Sequence, residues 1–553
     1  MVRCAPAPAD HAFDDVSTVS PTRGEAASLR LPRKWLNRTP WKKRSLRVYQ
    51  VDANEGRAPA SQRSSRLAKR YSPGAIDIFV LGITLVLSGQ FFSWNVGLRA
   101  GLYSYLIIVV IMSAAYVTFC CCVAEVTSAL PFAGGSYGLA RCTLGFFPAF
   151  VIGCCEALEY IASVAVIVIG MSNMAIRMAP ALGGYDPLLW LLFYVPSIAV
   201  QILGGSAFWA TNMLLGGFSL TLLLIYCFGM LRFVDFSRFA THEVAQLYVG
   251  GLSEAMHVFP FAAWLFLGVE AMGLASRDVE TPKTTIPAAQ VPCIVVLVIT
   301  GVFTLITTAA IPTTGGIPAI ATALAPLSNG FTQLFKISSA AGTALSLPSQ
   351  YAAAFGLSWA SARLLSSMAS SKLLPPVLSV NSKRFRTPHV AIVIAAVIGY
   401  AICLAVYFLP STTEFVLPTC LLFAFTSYSG QCIGYIALKR SSPLLKQRNF
   451  RNPFGIAGAL FSLVVWIVGI IALVGFQDHR GVEVGIFGGL LFVLGVYYRI
   501  VAQERQTMSK EESNVLLVAH FMRLHSLKQR LSATSSVPSI IRHAAMPRAS
   551  QIR

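Results

Sequence analysis

Residues 79–98 read FVLGITLVLSGQFFSWNVGL, an oily run interrupted at its centre by Ser88, Gly89 and Gln90. About 20 apolar residues in a helix cross the roughly 30 Å of bilayer hydrocarbon, so the run has the length of a membrane span. Inside lipid a helix satisfies its own backbone, and a break is tolerated only where the freed N–H and C=O groups face protein or a wet cavity. With Gly82 before the interruption and Ser93 and Asn95 after it, the pattern predicts a helix that unwinds near Ser88–Gly89. Amides at such a break can hold a carboxylate. The residues leave a second account equally open, in which Ser88 and Gly89 simply let another helix pack closely.

Working outward, comparable runs fall at 75–98, 102–128, 146–176, 187–204, 208–231, 256–275, 289–311, 337–368, 388–408, 413–438, 453–476 and 483–501. They predict an all-α membrane protein with twelve transmembrane helices over residues 71–501. A basic, disordered tail is expected at 1–70. A second tail follows at 502–553, with a possible amphipathic helix at 511–531 lying along the inner leaflet. Composition agrees, since 55% of residues are hydrophobic and 12% charged, against about 25% charged in soluble domains.

The net charge of +20 raises nucleic-acid binding as an alternative. The basic residues flank or connect apolar runs instead of forming one face of a soluble domain, so nucleic acid is not expected as a partner. With both tails on one side, six Lys/Arg fall on the opposite side (Arg99, Arg177, Arg232, Arg238, Lys336, Arg480) and 36 on the tail side. That bias places both termini in the cytoplasm, consistent with an unglycosylated Asn37-Arg38-Thr39. Of the twelve cysteines only Cys4 lies in a tail, and none lies in an expected outside segment. They read as small packing residues, without a disulfide framework or a zinc pattern.

A second interrupted run is VFPFAAWLFLGVEAMGLAS, residues 258–276. Pro260 removes a backbone donor, and Gly268 precedes an intramembrane carboxylate, Glu270. Acids inside a bilayer are costly and by default line a polar path or accept a proton. Glu156 and Glu159, three apart in GCCEALEYIASV, share one helical face and can share a proton or hold an amine. Glu125, near a span end, reads as structural. Arg363 is expected to snorkel to the cytoplasmic end of its span.

Several segments, in order across roughly residues 72–500, resemble the amino acid/polyamine/organocation permease superfamily. AEVTSALPFAGGSYGLARCTLG (124–145) is similar to that family's signature after the second helix, with Glu125, Pro131, Gly134, Gly135, Tyr137 and Arg141. GVEAMGLASRDVETPKTTIPAA (268–289) resembles the segment leaving the sixth helix. The family's Glu-Glu pair is altered there to Arg277-Asp278. Residues 362–391 and 435–455 resemble the eighth-to-ninth and tenth-to-eleventh connections. VLSGQFFSWNVGL and EALEYIASV are nearest to the ethanolamine-permease branch.

The resemblance implies a 5+5 inverted-repeat, LeuT-like core of spans 1–5 and 6–10 plus two peripheral helices. It implies a permease for amino acids or related amines, with substrate between spans 1 and 6 at Ser88, Gly89, Gln90, Trp94, Glu159, Trp264, Phe266 and Gly268. Trp264 is expected to separate pocket from vestibule. No cofactor is expected. Coupling or gating falls to Glu156, Glu159 and Glu270 for a proton, or to Ser358 and Ser361 with backbone carbonyls for sodium. No lysine occurs between Leu203 and Leu231, where some family members carry one, so ion-free exchange also stays open. A non-transporting nutrient receptor, a channel and a membrane enzyme are the other classes. An enzyme would need a nucleophile, base and orienting group close together, which the sequence does not assemble.

Overall fold

The computed structural model describes residues 71–132, 134–240, 247–441, 448–478, 481–509 and 512–513. The chain divides into two units, Met1–Ala68 and Lys69–Arg553. The expected tail at 1–70, the sequon at Asn37 and the expected helix at 511–531, save Glu512 and Ser513, lie outside the described residues.

Among the described residues the regular elements are all helices. Span 1 comprises Ala75–Val86, Ser88–Phe91 and Trp94–Ala100; span 2 is Leu102–Ala129; span 3, Phe146–Met178; span 4, Asp186–Leu203; span 5, Gly205–Met230. Span 6 runs from Gly251 to Arg277, helical to Val258 and 3-10 over Phe259–Leu265 and Val269–Arg277. Span 7 is Pro282–Ala309; span 8, Leu347–Ser370; span 9, His389–Phe408; span 10, Thr413–Ser441; span 11, Gly455–Gly475; span 12, Val482–Tyr497. A short helix, Gly135–Thr143, joins spans 2 and 3.

Ten of these helices are long and apolar enough to cross a membrane, and span 1 makes eleven if its two halves, bent by 43°, count as one. The remaining expected crossing is the 24-residue helix Leu347–Ser370. It begins ten residues later than the sequence suggests, after a separate helix at Ser339–Ala344 capped by Ser338. Its polarity has a physical reason. Protein surrounds it, so serines and Arg363 are not exposed to lipid, and hydropathy alone does not mark it. Span 6 is buried along its whole tested length, whereas span 12 is almost wholly bare.

The break in span 1 lies four residues beyond the expected position. Ser88–Phe91 remains helical, Phe92 is extended (φ −150°, ψ 138°) and Ser93 is left-handed (φ 71°). A left-handed serine costs energy that only surrounding packing can offset, which marks the hinge. In span 6 Pro260 stands in the first turn of the 3-10 stretch, and Gly268 takes φ 100°, a conformation that residues with a Cβ rarely adopt. The broken helices are thus the first and the sixth. Small residues set the packing between spans, as expected where lipid provides no hydrophobic drive. A Cβ on Gly430 of span 10 would stand 2.4 Å from Ile152 of span 3.

Candidate functional site

Gly89 faces the span 6 backbone directly. A Cβ there would stand 1.9 Å from the Trp264 carbonyl oxygen, so the packing account of Gly89 holds. Ser88 is buried with a hydroxyl that has no hydrogen-bond partner, as are the indole N–H groups of Trp94 and Trp264. Gln90 is engaged with span 7. Its Nε2 donates to the Leu297 carbonyl at 2.8 Å and ties span 1 to span 7, leaving Oε1 unpartnered.

The acids form a second group, joined through tyrosines of spans 3 and 10. The Tyr160 hydroxyl lies 2.8 Å from Glu156 Oε1 and 2.9 Å from Glu270 Oε1. Tyr428 of span 10 donates to Glu159 Oε1 at 2.5 Å. Glu270 lies close enough to Glu156 and Glu159 for their charges to interact. All three are at most 4% exposed, and Oε2 of each is without a hydrogen-bond partner. Phe266 packs on Tyr116 at 5.4 Å, and Tyr116 on Tyr428 at 5.9 Å. That ring stack connects the span 6 break to Glu159. Among the described residues no hydrogen bond or ring contact joins Ser88 to Glu159.

One hydroxyl carries one proton. Tyr160 can therefore donate fully to only one of its two carboxyl partners, and the other contact is satisfied when that carboxyl brings a proton of its own. Three ionised carboxylates with no cation would be prohibitive at this burial. The arrangement is suited to holding protons or an ammonium.

Ser358 and Ser361 lie buried in span 8. Ser361 donates back to the Ser358 carbonyl at 2.9 Å. Beside the span 1 hinge opens a cavity of about 520 Å³, lined by Ser93, Asn95, Arg99, Asn173 and Arg177 among others. Arg99 there pairs with Glu254 at 3.5 Å.

Two charged side chains of the spans sit in ion pairs. Arg363 is partly buried. Its Nη2 meets Asp278 Oδ2 at 2.8 Å, and its guanidinium covers the Trp359 ring at 5.2 Å. The altered Arg277-Asp278 pair thus still supplies a salt bridge, from the end of span 6 to span 8. Glu125 has the structural role expected of it. It accepts from Tyr435 and pairs with Lys439 at 2.7 Å and Arg448 at 2.6 Å, clamping span 2 to span 10 and the loop after it. The eleven cysteines among the described residues are free.

Sequence reasoning missed Tyr116, Tyr160 and Tyr428. Tyr160 lies one helical turn from Glu156, a spacing that puts both on one face and would have revealed it. The other two are single aromatics in apolar spans, without a local signal.

Residues 74–497 match the amino acid permease family. The chain is similar to an uncharacterized transporter of Rhizobium meliloti (strain 1021), 23% identical over 397 residues, 69% of this chain and 82% of the relative. It is also similar to a histidine permease of Lactococcus lactis subsp. cremoris (strain MG1363), 22% identical over 349 residues, 58% of this chain and 72% of the relative. With the many apolar helices, these matches make it an integral, multi-pass membrane protein and a transporter for amino acids or related compounds, not an enzyme. The chain belongs to the amino acid permease family.

Proposed function

We propose that this chain is a secondary active permease for an amine-bearing substrate (an amino acid, ethanolamine or a polyamine) working by alternating access. Substrate lies between spans 1 and 6. Its negative or polar end meets Ser88 and Gly89, and its ammonium faces Glu159 or the aromatic wall of Trp94, Trp264 and Phe266, where cation–π attraction contributes. Glu156, Glu159 and Glu270 carry the coupling proton. The observation that carries this reading is the cluster of three buried acids beside the span 6 break, each with an oxygen that has no hydrogen-bond partner. Such oxygens call for a proton or a cation.

Twelve crossings follow from this reading, with Leu347–Ser370 as the eighth, and so does an inverted repeat of spans 1–5 and 6–10. In its support, the first helix of each half is the broken one. Both termini lie on the cytoplasmic side of a plasma membrane in this reading, in line with the Lys/Arg bias. Sodium held by Ser358, Ser361 and backbone carbonyls is the competing coupling ion.

The test is uptake into proteoliposomes from a radiolabelled panel of amino acids and amines, under imposed proton or sodium gradients. Acid outside is expected to accelerate uptake, and Glu159→Gln to abolish uptake or its pH dependence. A pH dependence unchanged in Glu159→Gln removes that acid from coupling. Saturable binding without flux would make the chain a receptor.

A further inference from the structure

The segment that follows span 12 folds back onto the protein and is gripped there. The Glu512 carboxylate receives the Tyr137 hydroxyl at 2.5 Å, the Ser371 hydroxyl at 2.9 Å and the Ser509 backbone N–H at 2.7 Å. Arg141 Nε lies 3.4 Å from it. The same arginine donates to the Thr507 carbonyl at 2.7 Å, and the Thr507 N–H donates to the Ser371 carbonyl at 3.0 Å. Phe146 stacks beneath the guanidinium at 4.5 Å. The Arg141 and Glu512 side chains are 2% and 4% exposed.

A buried ion pair costs much desolvation, and it persists only where extra hydrogen bonds complete both partners. Here the cradle is built by three separate parts of the chain. Tyr137 and Arg141 stand on the short helix Gly135–Thr143, Ser371 ends span 8, and Thr507, Ser509 and Glu512 follow span 12. Backbone and side-chain contacts together recognise one short acidic segment.

The short helix also borders the acid cluster. A Cβ on Gly135 would stand 4.0 Å from Glu156 Oε1, and one on Gly134 would stand 2.7 Å from Ser367 Oγ of span 8. Whatever fixes this helix against span 8 also fixes the backbone that stands beside Glu156.

We propose that Arg141, Tyr137 and Ser371 form a docking site for the chain's own segment around Glu512, and that the docked segment holds the short helix against span 8 and keeps the inner face shut. The proposal rests on the permease reading above. Release of Glu512 exposes Arg141 to water, where a guanidinium is well solvated, and frees the helix to move. The docked segment is therefore an inhibitory clasp, and transport is fastest without it.

The experiment uses the full chain in proteoliposomes, the full-length variant Glu512→Gln, and a truncation after Gln506. Both changes are expected to raise the initial uptake rate by about fivefold or more, the lower end of usual coupling between distant sites. A synthetic peptide of residues 503–516 should return the truncated protein to the slow rate, and the same peptide with Gln in place of Glu512 should not. Binding of the fluorescently labelled peptide to truncated protein, read by polarisation, tests docking without any transport. Rates equal to or below that of the unaltered chain in both folded variants overturn the inhibitory role. Equal binding of the two peptides overturns the docking site. Discriminating binding beside a chain that carries no substrate at all would overturn the permease reading and leave the docking site standing.

Discussion

Gly89 and Trp264 meet backbone to backbone, with no room between them for a single methyl group. Span 1 touches span 6 at this point because one residue lacks a side chain. Gly89→Leu should abolish uptake while the protein still reaches the membrane, because overpacking typically costs about 1–3 kcal/mol and here the obstacle is rigid backbone. Uptake normalised to surface protein checks it, and an ordinary rate would make the contact incidental.

Tyr160→Phe removes the hydroxyl that Glu156 and Glu270 share. Each buried acceptor left without a partner costs about 1–3 kcal/mol. The variant should melt at lower temperature in detergent and show a shifted pH profile of uptake. A lower melting temperature with the profile unmoved would assign Tyr160 to stability alone.

The Arg363–Asp278 bridge ties span 6 to span 8 near the end of span 6. Asp278→Asn and Arg363→Met should each loosen that end, read as faster maleimide labelling of a cysteine placed at Ser367. Because the two side chains act as a pair, the double variant should fall short of the summed single effects by about 0.5–3 kcal/mol. Strict additivity would show that they act separately.

Glu125→Gln leaves Lys439 and Arg448, each 20% exposed, facing a neutral amide on a fully buried residue. Loss of one partner of a buried ionic group costs about 3–5 kcal/mol. Thermal unfolding should therefore occur well below that of the parent. Transport per folded molecule should stay near normal, because the clamp lies apart from the acid cluster.

Much of the fold was legible because lipid imposes its own length and polarity on the chain. Eleven expected crossings meet apolar helices, counting span 1 as one, and both interrupted runs are broken helices. Span 8 was harder to delimit, since a helix walled in by protein need not be oily. The displaced break in span 1 has a related cause. Glycine at position 89 signals close approach as readily as it signals unwinding, and only the Trp264 carbonyl decides between them. Of the site, the three acids announced themselves by their cost in a membrane. Their tyrosine partners come from spans far apart in the chain, and such pairings follow from packing that no single stretch records. The Glu512 contacts were hidden for the same reason.

Span 8 has one further consequence. Along it Ala352, Ala353, Ala354, Gly356, Ala360 and Ala362 are interspersed with Phe355, Trp359, Leu364 and Met368. Phe355 and Trp359 both stack on Phe208 of span 5, and knobs that interlock in this way must be lifted clear before two rods can slip. Spans 5 and 8 are thus keyed together, and any motion that moves one carries the other with it.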